Sequence, residues 1–173
     1  MTETKVLASA CRDWWVACVA ADTEAARQAR AQLRRAASVA AVLGVGATHE
    51  LNRYLADAGC DIRGRRDGPD RLALIAMALA QVTNDARATA AQQFGAGDPK
   101  ALSSLRFNAL VRTKEPRQLM EPLARALRII EGSANVRRLA ADLYWWGDAI
   151  RTNWCFDYHG ATRARPDREE TKA

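Results

Sequence analysis

The arginines are the residues of this chain whose type and spacing indicate a binding function. Only four of the 26 basic residues are lysine, so 22 are arginine. Arg117, Arg125 and Arg128 project from one side of a predicted helix. Its opposite side is apolar at four positions spaced by four, four and three residues: Leu119, Leu123, Leu127 and Ile130. Because a guanidinium group binds phosphate through paired hydrogen bonds, this layout predicts a protein that presents arginine to a polyanion.

The same spacing also permits a purely structural role for these arginines. Glu121 lies four residues from both Arg117 and Arg125. The three side chains could form a surface ion-pair ladder worth roughly 0.2–0.5 kcal/mol per pair. The pattern alone leaves both interpretations open.

The net charge supports a partner of opposite sign. It is +6 at pH 7, and the excess is unevenly distributed. Residues 1–66 carry ten basic and seven acidic groups, and residues 101–160 carry nine and six, whereas residues 67–100 carry three and four. Excess positive charge near both ends of the chain favours nucleic acid or an acidic protein as the partner.

The cysteines and histidines predict neither a metal site nor an active site. The four cysteines contain no C-x-x-C pair and the two histidines lie far apart: Cys11, Cys18, Cys60, Cys155, His49 and His159. We interpret the cysteines as small core residues in a reducing compartment. No nucleophile motif occurs either, so we expect a non-enzymatic protein with no catalytic residue, no metal and no cofactor.

Composition and periodicity predict an all-α fold, a two-lobed helical bundle. Hydrophobic residues make up 49% of the chain and charged residues 27%, as in soluble globular proteins. No segment alternates apolar and polar residues as a strand does. The break Phe94-Gly-Ala-Gly-Asp-Pro separates a predicted N-terminal helical lobe, 1–94, from a C-terminal helical lobe, 98–160, and a disordered tail, 161–173.

No run approaches the roughly 20 apolar residues of a membrane span, and the N-terminus does not resemble a signal peptide. We expect a cytoplasmic protein with no membrane partner.

Helix boundaries follow from capping residues and breakers. The predicted helices cover residues 3–20, 24–43, 49–58, 69–82, 85–93 and 99–112. We expect Gly44 to end the second helix, Thr48 to cap the third and Asp98 to cap the sixth. Pro122 should kink or restart the helix that follows, and residues 60–70 should form an exposed basic loop.

The sixth predicted helix is apolar around most of its circumference. Leu105 and Ala109 lie on one side and Phe107 on another, so we place this helix at the centre of the bundle, with Arg106 and Arg112 at its edges.

Three tryptophans near the C-terminus admit two roles. Trp145, Trp146 and Trp154 could stack on nucleic-acid bases, but packing in the core or at a subunit interface is the role we expect.

Five short segments, taken in order, resemble the CasB family, whose members are the small subunit of the type I-E CRISPR surveillance complex, Cascade. They are Leu-Arg-Arg near residue 35, Leu-Arg-Phe-Asn-Ala-Leu-Val-Arg, Leu-Ala-Arg-Ala-Leu-Arg, Leu-Ala-Ala-Asp-Leu-Tyr-Trp-Trp and Asn-Trp-Cys-Phe-Asp-Tyr. The resemblance is clearest over residues 103–158 and weaker over residues 14–55.

The resemblance implies a non-catalytic helical scaffold. Two copies would lie along the guide RNA, in contact with the backbone subunits and the large subunit, and would help to hold the target DNA and the displaced strand of the R-loop. Matching position to motif gives nine nucleic-acid-binding candidates: Arg34, Arg35, Arg106, Arg112, Arg117, Arg125, Arg128, Arg137 and Arg138.

The alternative functional class is a helical DNA-binding transcriptional regulator. It would need a helix-turn-helix, for which residues 44–48 are the one weak candidate.

Overall fold

The structure is a computed structural model that describes residues 2–160. Its α helices are α1 Glu3–Trp15, α2 Glu24–Arg35, α3 Val39–Leu43, α4 Gly46–Asp57, α5 Gly68–Gln81, α6 Ala90–Phe94, α7 Ser104–Arg112, α8 Pro116–Ile129, α9 Val136–Tyr144 and α10 Asp148–Tyr158. A π-helical turn, Val16–Ala20, extends α1. The two short strands β1 Asn84–Asp85 and β2 Ser133–Ala134 pair in parallel. The all-α prediction is confirmed. The predicted tail, 161–173, lies outside the described residues.

The central helix is α5. Every residue from Leu72 to Gln81 is buried, and its alanines allow neighbouring helices to approach closely. α8 and α9 pack along α5 together with α2, α3 and α4, while α1 packs on α9 and α4. Helices from both predicted lobes therefore share one continuous core. The boundary at residues 94–98 stays a prediction about folding units.

Asp85 of β1 connects two helices, α1 and α9, through its carboxylate. Asp85 accepts a hydrogen bond from the backbone N–H of Val136, at 3.0 Å, and so satisfies the first turn of α9. Its other oxygen accepts from Arg12 Nε of α1 at 2.8 Å. The predicted helix over 85–93 is wrong in its first half, because Thr89 caps α6, Asp85 belongs to strand β1 and residues 87–88 form a bend.

The second predicted helix is also wrong in length, because it ends at Arg35 and a new helix starts at Val39. The Ser38 hydroxyl accepts from the N–H of Ala41 at 3.1 Å, so a side-chain cap replaces the continuing backbone ladder. Gly44 ends α3, as predicted. Thr48 is not a cap, since it is buried inside α4 and donates to the carbonyl of Val42 at 2.7 Å.

The sixth predicted helix starts late and is not central. α7 begins at Ser104, because the Ser103 hydroxyl and not Asp98 accepts from its first turn, at 3.4 Å from the N–H of Arg106. Leu105 is 81% exposed, whereas Phe107 is fully buried. Neighbouring helices therefore cover only one side of α7.

Pro122 does not restart the next helix. α8 is continuous from Pro116 to Ile129, because the predicted apolar stripe through Leu119, Leu123 and Leu127 is fully buried and holds the helix against its neighbours.

The predicted basic loop is only partly exposed. Ile62 is fully buried, and the guanidinium of Arg65 lies 4.7 Å from the ring centre of Tyr144 and 4.5 Å from that of Trp145. Arg63 and Arg66 remain exposed. The loop is thus fixed to the end of α9 by cation–π contacts.

Among residues 2–160, no helix combines the length and the apolar character that crossing a membrane requires.

Candidate nucleic-acid interface

A groove of about 250 Å³ lies between the end of α2 and the middle of α8. Four of the nine predicted arginines line it, two from each helix: Arg34, Arg35, Arg125 and Arg128. We call this the arginine groove. These pairs are about 90 residues apart in the sequence, and the packing of α2 and α8 against α5 brings them together.

Arg34 joins α2 to the end of the central helix. Its Nε donates to the carbonyl of Ala80 at 2.7 Å, and the side chain is half-buried. Burial and the nearby charge of Arg30 lower the pKa of Arg34. Its guanidinium is therefore both a structural donor and part of the groove lining. The neighbouring Arg35 is exposed.

α8 contributes two exposed arginines to the groove. Arg128 Nε lies 3.4 Å from Oε1 of the buried Gln81, and Arg125 pairs with Glu121 on the same helix. Both side chains of the Arg125–Glu121 pair are about 70% exposed, so water screens this pair strongly. With four arginines and one glutamate the lining carries a net charge of +3. Such a lining attracts phosphate.

Arg117 lies outside this groove. It forms two hydrogen bonds with Asp70 of α5, at 3.1 Å and 3.3 Å, which raise the pKa of Arg117. Of the surface ion-pair ladder that the spacing permits, the Glu121–Arg125 pair forms and the Arg117–Glu121 pair does not, because Arg117 pairs with Asp70 of α5.

The other four predicted arginines lie on α7 and α9, two on each helix. Arg106 and Arg112 are exposed on α7, and Arg137 is exposed on α9. Arg138 Nε donates to Asp142 Oδ1 at 2.9 Å. The structure does not bring these side chains into the arginine groove.

Arg138 partly offsets the negative charge of the buried Asp142 carboxylate. Asp142 is 3% exposed, and its second oxygen accepts from Trp154 Nε1 at 2.8 Å. Burial raises the pKa of Asp142, while the charge of Arg138 and the hydrogen bond from Trp154 oppose that rise. Arg138 therefore has a structural role that the sequence analysis missed, although its i, i+4 spacing to Asp142 was the available signal.

The packing role expected of the tryptophans is confirmed for two of them. Trp146 and Trp154 are 2% and 1% exposed, and their rings meet edge to face at 5.0 Å. Trp146 also donates to the carbonyl of Thr113 at 2.9 Å. Neither ring can stack on a base while buried. Trp145 is half-buried beneath Arg65.

The sequence analysis did not identify two arginines that donate hydrogen bonds to carbonyls at helix ends. Arg71 Nη1 donates to the carbonyls of Tyr144 and Trp146, at 3.0 Å and 3.1 Å, and Arg151 Nη1 donates to that of Val111 at 2.9 Å. Their acceptors are 40 to 75 residues away, so no local pattern indicated them. These contacts satisfy carbonyls at the ends of α9 and α7.

The four cysteines are free thiols. Burial and the neighbouring Cys60 raise the pKa of Cys11 to about 12, so this thiol is neutral and unreactive. Within residues 2–160 no three His, Cys, Asp or Glu side chains are grouped closely enough to hold a metal ion.

The fold and the groove define an all-α protein with a positively charged groove, and comparison with known proteins identifies its family. The family model of CRISPR-associated protein Cse2 matches residues 29–159, about three quarters of the chain. The chain therefore belongs to the Cse2 family. This is the CasB family of type I-E Cascade small subunits, so the resemblance seen in the sequence is confirmed.

The fold also occurs in solved structures. A chain in the crystal structure of E. coli Cascade bound to a PAM-containing dsDNA target is 18% identical, with a TM-score of 0.64. The match covers 88% of this chain and 97% of that chain. At this identity the likeness concerns the fold alone. No curated protein matches the chain by sequence.

Proposed function

We propose that this chain is the small subunit of a type I-E Cascade complex and a non-catalytic scaffold for the R-loop. Its partners would be the backbone subunits, the large subunit, a second copy of itself, the guide RNA and the target DNA. Membership of the Cse2 family supports the assembly. The observation that carries the scaffold role is the arginine groove, in which two distant pairs of predicted arginines meet.

The groove suits a phosphate backbone rather than a base. Beside the arginines its lining contains Ala36, Ala37 and Ala124, whose short side chains let a sugar-phosphate chain approach closely. Guanidinium groups hold phosphate without reading sequence. R-loop formation is nearly balanced in energy, so a few phosphate contacts are enough to tip it.

The test is R-loop dissociation from complexes rebuilt with Arg125→Glu and Arg128→Glu. If the groove makes four phosphate contacts to a single strand, log K should fall with log salt at a slope of about −2.8, which is a loss of affinity of about 50-fold between 50 and 200 mM salt. Removing two contacts should flatten the slope by about 1.4, so that the same change in salt weakens affinity by roughly 7-fold. The loss should be equal at every target, because phosphates carry no sequence information.

The matched control reverses Arg63 and Arg66, which are exposed arginines outside the groove. If both double variants accelerate dissociation equally, net charge and not the groove is responsible. Unchanged dissociation of the groove variant at all salt concentrations would remove the scaffold role from this site. An effect at one target only would indicate base reading.

The alternative of a transcriptional regulator gains no support from the fold. The candidate turn at residues 44–48 follows α3, a helix of five residues, and Thr48 is buried.

A further inference from the structure

The C-terminal end of α5 anchors one arginine from each of the two helices that form the arginine groove. Arg34 of α2 donates from Nε to the backbone carbonyl of Ala80 at 2.7 Å. Arg128 of α8 donates from Nε to the side-chain oxygen of Gln81 at 3.4 Å. The last carbonyls of a helix lack intrahelical partners and carry the negative end of its dipole, so this end attracts guanidinium groups. Two consecutive residues of α5 thus contact both sides of the groove.

Neither of these two acceptors carries a charge. Elsewhere in the fold, Arg12, Arg71 and Arg117 each form a salt bridge with an aspartate, at 2.8, 2.7 and 3.1 Å. A carboxylate offsets the charge of its arginine, whereas a carbonyl or amide oxygen leaves that charge available to an anionic ligand. Arg34 and Arg128 form no salt bridge with a described residue. Their positive charges therefore contribute fully to the groove.

The contact with Gln81 also leaves most of the Arg128 guanidinium free. Arg128 uses Nε alone in its hydrogen bond with a described residue. Its two Nη nitrogens carry four of the five N–H groups of the side chain. Paired N–H groups of this kind bind phosphate oxygens. The contact with Gln81 therefore limits the rotation of Arg128 without occupying the Nη donors that a phosphate would use.

The amide of Gln81 contributes little to the stability of the fold. Gln81 is 5% exposed, and its amide nitrogen lies 3.9 Å from Met77 Sδ, its side-chain acceptor among the described residues. Sulfur is a weak acceptor, and the 3.4 Å contact with Arg128 is long for an N–H···O hydrogen bond. A buried amide with weak partners costs free energy relative to an apolar side chain of similar size. Its place beside the groove therefore favours a role in binding over a role in folding.

The backbone at this end of α5 is held against the loop that follows α8. Thr83 donates from its backbone N–H to the carbonyl of Gly132 at 2.9 Å, and from its hydroxyl to the carbonyl of Glu131 at 2.7 Å. Gly132 has a φ of +69°, and a Cβ there would collide with the backbone carbonyl of Gln81. Gln81 and Arg128 therefore lie on elements that are fixed to each other, so the amide oxygen is a preset acceptor for the guanidinium.

We propose that Gln81 is a positioning residue of the arginine groove, which orients Arg128 for a phosphate backbone without offsetting its charge. This inference rests on the function proposed above. Arginine only donates hydrogen bonds, so the oxygen of the amide faces Arg128 and its nitrogen faces Met77. A glutamate at this position would also accept from Arg128, but its negative charge would cancel the charge that attracts phosphate.

Gln81→Met removes the acceptor and keeps a side chain of similar length. The ligand must then order Arg128 itself, so R-loop dissociation from complexes rebuilt with this variant should be roughly 2- to 10-fold faster at a fixed salt concentration. The slope of log K against log salt should stay that of the wild type, because no charge is removed. The melting temperature of the chain should be unchanged or higher, because a poorly paired amide is no longer buried. A loss of stability in parallel with the faster dissociation would point to a structural role instead.

Gln81→Glu separates charge from orientation. It keeps an acceptor for Arg128 but adds a negative charge, so the salt slope should flatten by about 0.7, the value of one phosphate contact to a single strand. An unchanged slope would contradict the contact between residues 81 and 128. The matched control is Gln93→Met, a half-buried glutamine outside the groove whose amide donates to Ser133 at 3.4 Å. It should dissociate as the wild type does, and circular dichroism verifies that every variant is folded.

A double-mutant cycle shows whether Gln81 acts through Arg128. Arg128→Met alone should accelerate dissociation and flatten the salt slope by about 0.7. In that background Gln81→Met should add less than about twofold, because the side chain that it orients is gone. Effects that multiply in the double variant would overturn the proposal, as would wild-type dissociation of Gln81→Met when Arg128→Met is impaired. Wild-type dissociation of Arg128→Met itself would remove Arg128 from the function proposed for the groove, and this inference with it.

Discussion

Replacing Arg138 with methionine tests whether this arginine stabilises the fold. Methionine keeps an apolar stem but leaves the buried Asp142 with Trp154 as its one remaining side-chain donor. Breaking a buried ion pair costs about 3–5 kcal/mol. The Arg138 side chain is 44% exposed, so water can replace part of the lost contact and we expect about 1–2 kcal/mol. Arg137→Met, one residue away and exposed, should stay within about 0.5 kcal/mol.

The pH dependence of this loss has a definite sign. Arg138 holds the pKa of Asp142 below the value that burial alone would give it. The variant therefore raises that folded-state pKa further and is destabilised wherever the wild-type carboxylate is ionised. The difference should shrink as the pH falls through the pKa of Asp142, because the group is then neutral in both proteins.

The wild type should also gain stability from Asp142 on mild acidification. Its folded-state pKa is raised, so above the ordinary aspartate pKa the unfolded state binds fewer protons than the folded state, and stability falls as the pH rises.

Urea unfolding of the wild type, Arg138→Met and Arg137→Met at neutral and acidic pH measures these effects. Thermal unfolding at neutral pH should show a shift of roughly 2–4 °C for each kcal/mol. Equal stabilities of the two variants at neutral pH would refute the structural role of Arg138. A loss that persists undiminished in acid would show that the effect comes from side-chain packing and not from the charge of Asp142.

Three further predictions concern packing and metal binding. Trp146→Ala and Trp154→Ala should each destabilise by about 3–5 kcal/mol in denaturant titrations, as large core truncations do, whereas Trp145→Ala should cost less because its ring is half-buried. Equal losses at all three would contradict the burial described here. Gly68→Ala should destabilise, because a Cβ there would collide with the carbonyl of Ile62, while Gly46→Ala, with open space around it, should be neutral or stabilising by up to about 1 kcal/mol. EDTA should leave the helical circular dichroism unchanged, and a cooperative loss would reveal a missed metal site.

Most helices could be predicted from the sequence, but several of their ends could not, because the period of an apolar stripe follows from helical geometry whereas a helix end depends on individual contacts. The apolar stripe of α8 is visible in the chain because its period is set by helical geometry alone. The break after Arg35 is not visible, because residues 24–43 are nearly all strong helix formers and the decisive contact is one Ser38 hydroxyl. The burial of α7 was mispredicted since periodicity shows which residues share a face, not whether a neighbour covers it.

The same limit applies to the arginines. Spacing placed Arg117, Arg125 and Arg128 on one side of a helix. The partners of Arg117 and Arg128 lie on α5, whereas Arg125 pairs with Glu121 of the same helix. Arg117 meets Asp70, 47 residues away, and Arg34 meets the carbonyl of Ala80, 46 residues away. Only the packing of α2 and α8 on α5 shows which arginines share a groove.

The same limit explains the position of α7, because a helix that is apolar around most of its circumference can occupy two different places in a fold. A helix with apolar residues around most of its circumference is central when its own chain covers all sides. α7 shows the other case, in which Phe107 packs inside while Leu105 is left exposed. One exposed leucine alone would be ordinary for a protein surface. Sequence periodicity alone therefore does not separate a central helix from one whose outer side its own chain leaves uncovered.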